Sequence, residues 1–161
     1  MNLYSNFLPK KIFKQLKDAI MSNSFPWYYN DDILKNKKST NFQFTFTFLI
    51  NNEYQCWGRW QDVMIPVLKN IKHQKITKVK ANLLTRTNKI IEHAYHIDKK
   101  YGRTGILYIN NCNGYTKFKN GKKIRSEENK YIEFNSDVEH AGSSCTNKKR
   151  RVVINFNYES I

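Results

Sequence analysis

From residue 76 onward the chain is a succession of short β-forming runs. KITKVKANLL, TGILYIN, YTKF, KKI, KYIEFN and RVVINFNY are each rich in β-branched or aromatic residues, and turns such as NNCNGY and KNGKK separate them. Many short strands at close spacing fold into a sandwich or barrel, because each run buries only one face and needs partners for its edges. The first half reads differently. LPKKIFKQLKDAIMSN places Ile12, Leu16 and Ile20 at i, i+4, i+8 behind Pro9, which predicts an amphipathic helix of about 13 residues. FPWYYNDD reads as a turn. NFQFTFTFLI alternates Phe42, Phe44, Phe46 and Phe48 with polar residues, a half-buried strand, and RWQDVMIPVLKNIK predicts a second helix kinked or divided at Pro66. The expected plan is one domain in which two N-terminal helices buttress a C-terminal β-sandwich.

Composition narrows the class. Hydrophobic residues make up 40% of the 161 and aromatics 14%, which is enough to build a core. No apolar run approaches the roughly 18 residues of a membrane span. The N-terminus lacks the apolar stretch and cleavage site of a signal peptide, so a cytoplasmic location is expected. Cys56, Cys112 and Cys145 are scattered and odd in number, matching neither a disulfide framework nor a zinc signature, as in a reducing compartment. The net charge of +15 comes from 28 Lys and Arg against 13 Asp and Glu. It would attract a polyanion, so a nucleic-acid partner is one reading. The lysines are spread along the whole chain among many Asn and Ile, which is the pattern of AT-rich coding, and compositional bias is the preferred reading.

EHAYHID, residues 92 to 98, holds the densest set of metal-ligand side chains. Read as a strand, it projects His96 and Asp98 to one side, with Ile97 opposite. One imidazole and one carboxylate are two thirds of a 2-His-1-carboxylate facial triad, the ligand set that leaves iron positions open. The third ligand must come from His73, His93 or His140. His73 follows a helix end, where histidines bond the last carbonyls. His93 is expected on the opposite strand face, structural or solvent-facing. His140, in NSDVEHAG between two strands, is the candidate that a sandwich can bring alongside His96.

These residues carry a resemblance. The stretch from about Lys80 to Tyr158 resembles the Fe(II)/2-oxoglutarate-dependent oxygenases, in particular small viral and phage members near the prolyl 4-hydroxylase group. HAYHID is similar to the family's HxD motif, GILYINNCNGYTKF to the strand pair that follows it, KYIEFNSDVEHAG to the segment leading to the distal histidine, and KKRRVVINFNY to the last core strand with its basic residue. What the resemblance implies is a double-stranded β-helix (a jelly roll, cupin-like) over residues 76–161, with residues 1–75 supplying helical support and the first strands. It also implies Fe(II) on His96, Asp98 and His140, with 2-oxoglutarate and O2 as co-substrates and ascorbate as reductant. The far carboxylate of 2-oxoglutarate would meet Arg151, in preference to the adjacent Arg150, because the family's arginine starts the strand seven residues before its aromatic end, here Tyr158; a guanidinium, unlike Lys, grips a carboxylate through two parallel hydrogen bonds. Tyr108 would add a hydroxyl to the same carboxylate. Many relatives carry a further tyrosine where NLLTRT here has Leu84, with Asn82 or Arg86 as substitute polar contacts.

The implied reaction is hydroxylation of a peptidyl side chain, prolyl-type, by a protein encoded by a virus and working in its host's cytoplasm. Nucleic-acid bases are an alternative substrate, and a non-catalytic basic sandwich that binds nucleic acid is an alternative of another class. The aromatic-rich stretches WYYNDD and EYQCWGRW are candidates for the cavity entrance or for packing of the helices onto the sheet. The sequence leaves the oligomeric state open.

Overall fold

The computed structural model describes residues 1–34 and 41–160. Strands β1 (Asn2–Tyr4), β2 (Tyr28–Asn30), β3 (Gln43–Ile50), β4 (Glu53–Tyr54), β5 (Lys75–Thr85), β6 (Arg103–Tyr108), β9 (Tyr131–Asn135) and β11 (Arg150–Glu159) form one antiparallel sheet. Its order is β1-β9-β6-β11-β5-β3-β2, with β4 paired to β3. Strands β10 (His140–Gly142), β7 (Tyr115–Phe118) and β8 (Lys123–Arg125) form a smaller sheet. The architecture is a double-stranded β-helix, a jelly roll with its helices packed outside.

Strand alternation assigns the two faces of the large sheet. On the outer face Phe46 and Phe48 of β3, Val79 and Ala81 of β5, and Val152, Ile154 and Phe156 of β11 are buried. Against them pack α1 (Lys10–Ile20), through Phe13, Leu16 and Ile20, and α2 (Arg59–Leu68), through Met64, Val67 and Leu68. Each such side chain contributes about 1.5–3 kcal/mol of burial, so this layer carries most of the fold's apolar stabilisation. A second cluster, including Ile106, Phe118, Ile132, Phe134 and Val153, fills one end of the space between the sheets. The other end is open, and there many of the inward residues are polar, among them Thr45 and Thr47 of β3, Lys78, Lys80 and Asn82 of β5, and Asn155 and Asn157 of β11.

The C-terminal strands named above fall where the sequence places them, but His140, read as lying on the connection between two of them, stands in a short strand of its own, β10. Four further features of the structure differ from expectation. Helix α2 is continuous through Pro66, which sits in its last turn, so it is not divided. The expected turn at residues 25–32 contains the edge strand β2, and the N-terminus supplies the opposite edge, β1. Both are three residues long and largely exposed, without the alternation that marks longer strands. Residues 92–98 are not a strand. They run beside β10 with isolated bridges only, at Glu92↔Ser143 and His96↔His140. All three cysteines are buried thiols, and among the described residues no helix is long and apolar enough to cross a membrane.

Candidate functional site

The open end of the β-helix encloses a cavity of about 550 Å³. On its wall His96, Asp98 and His140 offer one ligand atom each, all within 4.8 Å of one another. Although the segment is not a strand, each residue is positioned through the backbone. His96 and His140 exchange backbone hydrogen bonds of 3.0 Å in both directions, and the Asp98 N–H donates to the Ser136 carbonyl at 3.0 Å. The two imidazoles lie 4.5 Å apart between centroids, and Phe134 packs edge-on against His140 at 4.8 Å.

Outer contacts fix the donor atoms. His140 is 2% exposed, and its Nδ1–H donates to the Val138 carbonyl at 3.0 Å, which leaves Nε2 with its lone pair toward the cavity. Asp98 Oδ2 accepts from the Thr104 hydroxyl at 2.7 Å and from the Asn157 amide at 3.0 Å. Thr104 and Asn157 are themselves hydrogen-bonded at 3.1 Å. Oδ1 is the oxygen nearer His96 Nε2, at 3.7 Å. Two neutral-capable imidazoles and one braced carboxylate form a donor set suited to a divalent first-row metal, and the braces are of the kind that orient metal ligands.

Arg151 projects from β11 into the same cavity and is 3% exposed. Its Nε donates to Ser126 Oγ at 2.8 Å and its Nη2 to Thr116 Oγ1 at 3.3 Å, and the guanidinium lies 5.7 Å from the Tyr108 ring centroid. No carboxylate pairs with it among the described residues, and burial pulls its pKa below the usual value. A buried cation without a counter-ion is costly, and an anion placed against it would offset that cost. Gly114 makes room for it: a Cβ there would stand 2.6 Å from Arg151 Cδ and 2.7 Å from the Ser144 carbonyl oxygen.

The other candidates separate clearly. Arg150 is turned to the opposite face of β11, where its Nη2 donates to the Met21 carbonyl at the end of α1 at 2.6 Å, so it does not reach the cavity. Tyr108 is fully buried. Its hydroxyl donates to Thr116 Oγ1 at 2.9 Å, burial raises its pKa to about 12, and Thr116 rather than Tyr108 reaches the cavity wall. Asn82 lines the wall, as does Leu84, which stands directly opposite Arg151 in the strand register, whereas Arg86 does not. His73 bonds the Ile71 carbonyl, just past α2. Glu92 lies in a surface network with Lys117, Lys123 and Tyr115. From WYYNDD only Asn30 and Asp32 reach the cavity wall, and EYQCWGRW contributes nothing to it.

His93 departs from expectation. It lines the cavity, and its backbone N–H donates to the Gly142 carbonyl at 2.9 Å. Burial, and then the nearness of Arg151 and of the His96 imidazole, push its pKa down to about 4. Sequence reasoning also passed over Thr104, Thr116, Ser126 and Asn157. Only Asn157 had a readable signal: it shares the period-2 face of Arg151 on β11.

No family sequence model matches the chain. No curated protein matches it in sequence. Solved structures do resemble it. A Pseudomonas putida prolyl-4-hydroxylase aligns over 99% of this chain and 92% of its own, with a TM-score of 0.64 at 9% identity. An oxidoreductase of the 2OG-Fe(II) oxygenase family from Burkholderia pseudomallei aligns over 96% and 82%, with a TM-score of 0.67 at 6% identity. A Trichoplax adhaerens prolyl hydroxylase, solved with a hypoxia inducible factor oxygen degradation domain peptide fragment, aligns over 99% and 83%, with a TM-score of 0.67 at 14% identity. At these identities the likeness is one of fold.

Proposed function

We propose that the protein is an Fe(II)- and 2-oxoglutarate-dependent dioxygenase, a small member of the prolyl 4-hydroxylase group, that hydroxylates a peptidyl side chain. The observation that carries this reading is the convergence, in one cavity, of the His96–Asp98–His140 donor set and the buried, carboxylate-free Arg151. One accounts for a metal and the other for a dicarboxylate, and the reaction needs both. The likeness in fold to structures of that class supports it.

His96 and His140 would hold Fe(II) through imidazole nitrogen and Asp98 through a carboxylate oxygen. An iron held there would supply the oxidising chemistry by which 2-oxoglutarate and O2 yield succinate and CO2, with the second oxygen atom going to the substrate. The protein's residues do the positioning. Thr104 and Asn157 keep Asp98 turned toward the histidines. Arg151, steadied by Ser126 and Thr116, anchors the far carboxylate, and Tyr108 acts on it through Thr116. No side chain is required as a general base, and ascorbate would serve only to keep the iron reduced.

For the substrate, a peptide is favoured over a nucleic-acid base by the likeness in fold to a prolyl hydroxylase solved with a peptide fragment. The test is incubation with Fe(II), ascorbate and 2-oxoglutarate, alone and with peptide or oligonucleotide pools. Succinate should form in an Fe(II)-dependent way, and an oxygen atom should be added to a peptide. Absence of both succinate and Fe(II)-dependent 2-oxoglutarate binding would contradict the assignment. Oxygen on an oligonucleotide instead would overturn the peptide reading.

A further inference from the structure

Arg151 is not the only polar group that faces the place of the far carboxylate. Its Nε–H is taken by Ser126 and one Nη2–H by Thr116, which leaves both Nη1 hydrogens and the second Nη2 hydrogen for a ligand. Leu84, opposite Arg151 in the register, offers no donor. A further donor stands on the segment that runs beside β10. The ring of His93 lines the cavity, and neither of its nitrogens has a hydrogen-bond partner among the described residues. A Cβ built on Gly142, which also lines the cavity, would lie 3.6 Å from Arg151 Nη1 and 3.9 Å from His93 Nδ1. The two groups therefore face one small volume, kept clear by the absence of a side chain at 142. A carboxylate that accepts on both oxygens can span donors up to about 8 Å apart. Two nitrogens that stand 3.6 Å and 3.9 Å from one point lie within that reach of each other.

Resting on the 2-oxoglutarate reading above, we propose that His93 is a second co-substrate-binding residue, donating its imidazole N–H to one oxygen of the far carboxylate while Arg151 Nη1 grips the other over Gly142. The backbone bond from His93 to the Gly142 carbonyl fixes the main chain from which the ring projects. Asp98, His96 and His140 take no part in this contact.

The test is anaerobic calorimetry of the Fe(II)-loaded protein with 2-oxoglutarate and with 2-oxobutyrate, a 2-oxo acid without the far carboxylate. His93→Leu should weaken 2-oxoglutarate about tenfold or more and change 2-oxobutyrate less than about twofold. His93→Gln, which keeps an N–H, should recover part of the loss. Gly142→Ala, whose methyl meets both groups at ordinary contact distance, should fold normally and show the same selective loss. The proposal is overturned if His93→Leu and Gly142→Ala bind 2-oxoglutarate like the wild type, or if they lose both acids equally. If the wild-type protein itself shows no Fe(II)-dependent 2-oxoglutarate binding, the functional reading falls, and this one with it.

Discussion

At the scale of single residues, the site depends on neighbours more than on motif. Asp98 and Glu92 look equivalent in EHAYHID, yet one faces two histidines across the cavity and the other bonds surface lysines. Asp98→Ala should abolish Fe(II)-dependent succinate release, while Glu92→Ala should leave it within about twofold; equal losses would mean the segment matters only for folding. Asn157 tests the outer contacts. Asn157→Leu removes a donor from Asp98 Oδ2 and should weaken Fe(II) binding about 10- to 100-fold, read by anaerobic metal titration. His96, Asp98, His140 and Arg151 were legible in the sequence because their residue types and order follow a pattern. Thr104 and His93 were not, since a threonine brace or a loop histidine has no spacing rule; tertiary contact alone gives each its place.

Elements were legible where periodicity is long and hidden where it is short. The strands from β5 onward other than the three-residue β10, and both helices, carry clear patterns, whereas β1 and β2 are exposed edges of three residues whose pairing is set by β9 and β3. EHAYHID misled in a different way. It lies along β10 with too few backbone bonds to be a strand, so the two-residue alternation does not hold, and that is how His93 comes to share the cavity with His96. The N-terminal arm shows how a single side chain can dock an element. Asn129, at φ 57°, accepts from the Leu8 N–H at 2.9 Å and donates to the Leu8 carbonyl at 2.8 Å. Asn129→Ala should destabilise the protein by about 2–3 kcal/mol in urea unfolding, through two lost hydrogen bonds and a strained φ. Asn129→Gly should recover only the backbone part.

For the whole molecule, the helices and the outer sheet face form the apolar body, and the cavity end is polar. Acid should expose this division. The unfolded His93 side chain takes up a proton near its ordinary 6.5, the folded one only at about 4. Between these values the unfolded chain binds the extra proton, so the stability that His93 contributes should fall as pH drops from about 6.5 to about 4 and change no further below that. In metal-free protein, the urea midpoint of His93→Leu should change less over that window than the wild type's; equal slopes would place the acid sensitivity elsewhere. The net charge of +15 left the substrate undecided, because scattered lysines carry no geometry. The most direct test of the whole assignment is turnover under 18O2 with Fe(II) and 2-oxoglutarate, followed by mass analysis of the succinate. One atom of 18O in succinate, lost in Asp98→Ala, is the expected result. Absence of succinate, or succinate carrying no label, would contradict it.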